Sequence, residues 1–94
     1  HCAVVGCHVP GTPPLGQILS AGFAYSNIVN VASHEVTSDM RVAPGDLVHS
    51  YLYLKITAQQ SVGKSMPPVS TGDVLMASEI ETIKDWILQG ALNN

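Results

Sequence analysis

A small, mostly α-helical single domain is the fold this chain predicts. Its C-terminal segment has helical periodicity with both ends marked, two Pro- and Gly-rich segments break the rest into short pieces, and no clear sheet emerges. Ninety-four residues supply one core, so residues 1–94 form one domain.

The segment "HVPGTPPLGQ", residues 8–17, holds three Pro and two Gly, which makes it a loop that regular helix or sheet cannot accommodate. From Ser20, "SAGFAYSNIVNV" spaces Phe23, Tyr25, Ile28, Val29 and Val31 as a short helix, with Ser20 as N-cap and Asn30 at its end. Pro44 and Gly45 predict a turn, with Asp46 as N-cap or turn residue behind it. Leu52, Leu54 and Ile56 then alternate with Tyr51, Tyr53 and Lys55 as in a strand, while a helix starting near Ser50 fits the same residues about as well. Residues 59–73 are a second irregular segment, since Pro67 and Pro68 exclude helix through that point. In the last element Ser78 and Glu81 form a capping box, and Ile80, Ile83, Ile87 and Ala91 share a face with Trp86 beside them. Gly90 marks the stop, which predicts a helix from about Glu79 to Gln89.

Composition narrows the function. Hydrophobic residues make up 46% of the chain, yet one Phe, one Trp and three Tyr leave the core short of large side chains, a gap that a bound planar cofactor would fill. The net charge is -3, and the cations Arg41, Lys55, Lys64 and Lys84 are scattered, so the basic stripe of a nucleic-acid binder is missing. Apolar runs fall far short of the ~20 residues that span a bilayer. No leader precedes residue 1, and a chain beginning at His1 reads as processed, truncated or partly seen. Charged residues are only 12%, which leaves the surface short of the charges that keep small domains apart. Cover by a cofactor or by other protein is therefore expected.

Both cysteines and two of the four histidines fall in "HCAVVGCH", residues 1–8. Three chemistries compete for it. Cys2 and Cys7 are close enough to form a disulfide, although so small a loop gains little entropic stabilisation and leaves His8 unexplained. A structural zinc site would take Cys2, Cys7 and His8 with a fourth ligand from His1, His34 or His49, none at a zinc-finger spacing. Covalent haem attachment needs two thiols to add to two vinyl groups and a His directly after the second thiol. Cys7-His8 meets the second half of that requirement; the first thiol lies two positions further back than usual, giving C-x4-C-H, and Gly6 is where the backbone could bulge.

A low-spin electron-transfer haem needs a second axial ligand, and the candidates are Met40, Met66, Met76, His34 and His49. Met66 stands out because "GKSMPP", residues 63–68, presents a thioether directly before two prolines. A lone Met before Pro is more commonly core filler.

Five stretches in this order, "CAVVGCH" at 2–8, "AYSNIVNV" at 24–31, "RVAPGDLVHSYLYLKI" at 41–56, "GKSMPP" at 63–68 and "EIETIKDWILQGA" at 79–91, resemble the bacterial monohaem c-type cytochrome domains, including the planctomycete-type cytochrome domains. The resemblance implies a class I cytochrome c-like fold, short helices and long loops around one covalent haem c. It implies thioether anchors at Cys2 and Cys7, His8 as proximal and Met66 as distal iron ligand, and a helix rather than a strand over residues 50–56. A four-residue spacer is a known variation among such cytochromes. The implied activity is one-electron transfer rather than enzymatic catalysis, with redox partner proteins and a periplasmic, cell-surface or extracellular location. Arg41 is the candidate partner of a haem propionate, with a solvated surface Arg as the alternative. Tyr25 and Tyr51 are candidates to line the haem, and ordinary core tyrosines are the alternative. Trp86 reads as core, and His34 and His49 as surface histidines, either of which would replace Met66 in a bis-His site.

One departure from the family stands out. Its domains usually carry a helix before the attachment motif, packed on the C-terminal helix, and here only His1 precedes Cys2. The face of Ile80, Ile83 and Ile87 is therefore expected to lack its partner, or to be covered by a neighbouring chain in an oligomer or a chain of haem subunits. The rival classes are a disulfide-bearing extracellular binding or structural module and a zinc-stabilised module. No Ser-His-Asp set, paired carboxylates or phosphate loop argues for an enzyme.

Overall fold

The computed structural model describes residues 1–93. Three α-helices lie among them: α1 (Ala24–Ile28), α2 (Tyr51–Ile56) and α3 (Ala77–Leu88), with short 3-10 turns at Pro14–Gly16 and Val69–Thr71. Strand pairing among the described residues is confined to isolated bridges, Val29 with Val42, Ala32 with Met40, Met40 with Ser50 and Ala43 with Asp46. The chain is thus mostly short helix and loop.

The residues 40–43 act as the spine. Val42 donates to the Ile28 carbonyl and accepts from the Asn30 amide, both at 2.9 Å, while Met40 and Arg41 carbonyls accept from Tyr51 and Leu52 at 2.8 and 2.9 Å. One extended segment therefore joins the end of α1 to the start of α2. Pro44 and Gly45 form the expected turn: Gly45 has φ +75°, which glycine adopts without strain, and the Asp46 amide donates to the Ala43 carbonyl at 3.0 Å. The Gly45 amide then reaches the Ile87 carbonyl at 2.7 Å and satisfies one of the free carbonyls at the end of α3.

Residues 51–56 are helical, not extended. The fully buried Ser50 accepts from the Ala43 amide at 2.8 Å through its hydroxyl, tying the start of α2 to the turn. Tyr51 and Lys55, four apart, are buried on one face.

Three end-point expectations shift. Ser20 does not cap α1 with its side chain; its carbonyl accepts from Phe23 and Ala24 at 3.0 and 3.1 Å, a turn that precedes the helix, so α1 starts at Ala24 and stops at Ile28 before Asn30 turns to φ +59°. The capping box of α3 lies two residues earlier than Ser78 and Glu81. Glu79 Oε1 accepts from the Met76 amide at 2.8 Å, whereas the Glu81 carboxylate turns outward to Lys84. The far end follows the expectation, since Gly90 with φ +108° closes a Schellman motif: Gly90 donates to Ile87 at 3.0 Å and Ala91 to Trp86 at 2.9 Å.

The core is Ile28, Val42, Ile87 and Ala91, flanked by Leu19, Val29, Leu47, Leu52, Tyr53, Ile83 and Trp86. The expectation of an uncovered helix face is met only in part: Ile87 is fully buried with the chain's own Ile28 and Val42 and Ile83 packs beside it, while Ile80 is half-buried and borders a separate depression with Pro67, Val69 and Leu75. Apolar surface remains nearby at Phe23, Tyr25, Leu88 and Leu92. No described helix is long and apolar enough to cross a membrane.

Candidate functional site: a cleft between the Cys-His loop and the Met66 loop

The first eight residues fold back on themselves. His8 donates its amide to the Cys2 carbonyl at 3.1 Å and Cys7 to Val4 at 2.9 Å, a closure for which Gly6 takes φ +84°. The next loop holds His8 twice: its carbonyl accepts from the Leu19 amide at 2.9 Å, and its Nδ1 lies 2.9 Å from the Gln17 carbonyl. A carbonyl only accepts, so Nδ1 carries the proton and the neutral ring keeps its free lone pair on Nε2.

Far along the chain, Met66 is held from α2. Its amide donates to the Lys55 carbonyl at 3.0 Å, and the Lys55 ammonium donates to the Lys64 carbonyl at 2.9 Å. His8 and Met66 then line the same cleft, in two connected lobes that share His8, Pro14, Gln17, Leu52 and Met66. The larger lobe, about 230 Å³, is walled by Cys2, Cys7, Val4, Leu19, Ile56 and Pro67. The smaller, about 80 Å³, has a polar margin of Ser33, His34, Glu35, Arg41 and Lys55. His1 ties the two sides, its ring nitrogens 2.6 Å from Asp73 Oδ1 and 3.0 Å from Glu79 Oε2.

Cys2 and Cys7 are not bonded to each other. Burial pushes the Cys2 thiol above its ordinary range, with Asp73 and Cys7 adding to the shift and the N-terminal ammonium opposing it. Among the described residues no group of three or more His, Cys, Asp and Glu side chains gathers around one point.

Arg41 is not a solvated surface residue. It is 7% exposed and donates from Nη1 to the Asn27 carbonyl at 2.9 Å and from Nη2 to the Leu15 carbonyl at 2.8 Å. Burial lowers its pKa from the usual guanidinium value. Among the described residues it forms no salt bridge, which leaves a buried cation at the cleft wall compensated by carbonyl dipoles alone.

The two tyrosines separate. Tyr51 is buried at the cleft, its hydroxyl donating to the Val62 carbonyl at 2.7 Å and accepting from the Val62 amide at 2.9 Å. Tyr25 is 40% exposed and borders a different depression, with Trp86 and Leu92, because α1 turns that residue away from the cleft. It is not a cleft residue. His34 and His49 are both exposed, and His34 reaches only the polar margin. Trp86 is half-buried against the core, and its Nε1 donates to the Leu92 carbonyl at 2.8 Å.

Sequence reasoning missed Leu52, which stands where the lobes join, the Gln17 carbonyl that orients His8, and the buried pair of Lys55 with Glu35. Lys55 had a signal: a lone cation in the run "YLYLKI", four residues after Tyr51, marks a charge on an otherwise apolar helix. The carbonyl of Gln17 had none, since a backbone acceptor has no sequence signature. Compared with protein-family models, curated proteins and solved structures, the chain matches none of them.

Proposed function

We propose that the protein is a one-electron carrier holding one covalent haem c in the cleft between the Cys-His loop and the Met66 loop. The observation that carries this reading is that Cys2, Cys7, His8 and Met66 line one apolar cleft although Met66 lies about sixty residues beyond the other three in sequence. The donor set fits the group: the thiols of Cys2 and Cys7 would form the thioether bonds, and the His8 Nε2 and the Met66 sulfur would hold the iron. Arg41 supports the same reading, as a buried guanidinium without a carboxylate partner suits a propionate.

Haem c, when bound, supplies the Fe(III)/Fe(II) couple. The chain's part is to hold it still. The Gln17 carbonyl keeps the His8 ring in one tautomer and orientation, and α2 keeps Met66 in place, so that electron exchange entails little rearrangement. Leu52, Ile56, Pro67 and Leu19 keep water from the cleft walls. A redox protein is the implied partner, in the extracytoplasmic setting where c-type domains of this kind occur.

The absorption spectrum and intact mass of the isolated protein test the proposal. A mass equal to the chain plus one haem, with a reduced c-type band, supports it. A mass two hydrogens lighter than the free chain would identify a disulfide module and overturn it.

A further inference from the structure

We propose that the Lys55–Glu35 ion pair, backed by Tyr51, is a latch that keeps the Met66 loop on α2 and sets how firmly the Met66 sulfur stays at the cleft. The proposal rests on the reading of Met66 as an iron ligand. Lys55 is 7% exposed; its Nζ lies 2.6 Å from Glu35 Oε1 and 2.9 Å from the Lys64 carbonyl, and 5.9 Å from the centroid of the Tyr51 ring. The carbonyl of the same residue accepts the Met66 amide at 3.0 Å. One turn earlier on the same helix face, the Tyr51 hydroxyl brackets both the amide and the carbonyl of Val62. Residues 62–66 are thus gripped along their length, and every gripping group belongs to Tyr51 or Lys55.

Gly63 belongs to the device. It has φ +77°, and a Cβ there would collide with the Glu35 carboxylate and the Lys55 ammonium. A side chain there would push the ion pair aside and sit at a φ that favours glycine.

The physical dependence is direct. A buried ammonium requires a counter-charge, and Glu35 supplies it from the loop that follows α1. Without that charge, Lys55 moves toward water and releases the Lys64 carbonyl two residues from Met66. Glu35 and Lys55 are therefore positioning residues, acting on the cleft through the loop.

The test compares the haem-loaded protein with its Glu35→Gln and Tyr51→Phe variants. Three quantities are read: the sulfur-to-iron charge-transfer band of the ferric form, the affinity for cyanide, and the hydrogen exchange of the Val62 and Met66 amides. The latch predicts retained covalent haem, a weakened band, and for Glu35→Gln cyanide binding about tenfold tighter and Met66 amide exchange about tenfold faster, the size expected for one lost charge-assisted hydrogen bond, with smaller changes in the same direction for Tyr51→Phe, whose lost bonds are neutral. Variants of wild-type helicity with an unchanged band, cyanide affinity and exchange overturn it. If Glu35→Gln does not fold, Gly63→Ala and Tyr51→Phe carry the same comparison. Should the wild-type protein hold no haem, the electron-carrier reading falls, and amide exchange in the protein as isolated still decides the latch: unchanged exchange overturns it.

Discussion

His8 gives its Nδ1 proton to the carbonyl of Gln17 across 2.9 Å, and that bond dictates which nitrogen of the ring is free. Because the acceptor is main chain, a Gln17 side-chain replacement leaves the orientation of His8 intact, whereas a change at His8 or Met66 removes a side chain that lines the cleft.

On the proposed haem ligation, Met66→Ala opens a coordination position. The expected outcome is a loss of the low-spin ferric spectrum and new binding of carbon monoxide by the reduced form, with the covalent haem retained through Cys2 and Cys7. An unchanged low-spin spectrum would refute the assignment of Met66 and direct attention to His34, an exposed histidine at the polar margin of the cleft.

Ile87→Ala removes a fully buried side chain from the centre of the core and should destabilise the fold by about 3 kcal/mol. Leu88→Ala, at a neighbouring residue that is 49% exposed, should change stability by about 0.5 kcal/mol or less. Urea unfolding of both variants checks the contrast, and comparable losses would mean that the face of α3 is assigned the wrong way round.

Arg41→Gln loses the charge-assisted bonds to Asn27 and Leu15, which join α1 to the 14–16 turn, and is expected to destabilise the protein by about 2 kcal/mol. If a haem propionate is its partner, as the proposed function has it, Arg41→Gln should also lower the reduction potential and shift its pH dependence; an unchanged potential and pH profile assign Arg41 a structural role alone. Arg41→Lys should not restore both bonds, since an ammonium lacks the planar fork.

Asp46 and His49 form a surface pair, with Nδ1 2.7 Å from Oδ2. Their mutual hydrogen bond is the chief cause of a His49 pKa raised from 6.5 and an Asp46 pKa lowered from 3.8. The contribution of His49 is complete below 6.5 and is lost as pH rises through its raised folded value. That of Asp46 is present above 3.8 and is lost as pH falls through its depressed folded value. The pair therefore supports the turn before α2 fully between those two values, and fades on both sides. Thermal unfolding of His49→Ala across this range should lack the alkaline decline of the wild type; an identical pH profile would show that the pair contributes nothing.

Much of this architecture could be read from the residues. The period of Ile80, Ile83 and Ile87 with Gly90 behind them locates α3 to within two residues at each end, because a long amphipathic segment with a stop signal has few alternatives. Residues 51–56 were ambiguous for the opposite reason: six residues with apolar side chains at both spacings satisfy a strand and a helix, and the contacts of Tyr51 and Lys55 with residues 62–66 resolve them as a helix. The displaced capping box has a similar origin, as Glu79 and Glu81 offer two frames, and the one used is that which brings Glu79 to the Met76 amide and within reach of His1.

Local chemistry along the chain singles out Cys2, Cys7, His8 and Met66 as candidates, since adjacency to a histidine or to two prolines is a property of neighbours in sequence. Their convergence on one cleft, the burial of Arg41 and Lys55, and the outward turn of Tyr25 were set by packing. A charge is buried or solvated according to the partners that reach it, and for Arg41 and Lys55 those partners are backbone carbonyls and a carboxylate from other segments, which only the folded chain brings into contact.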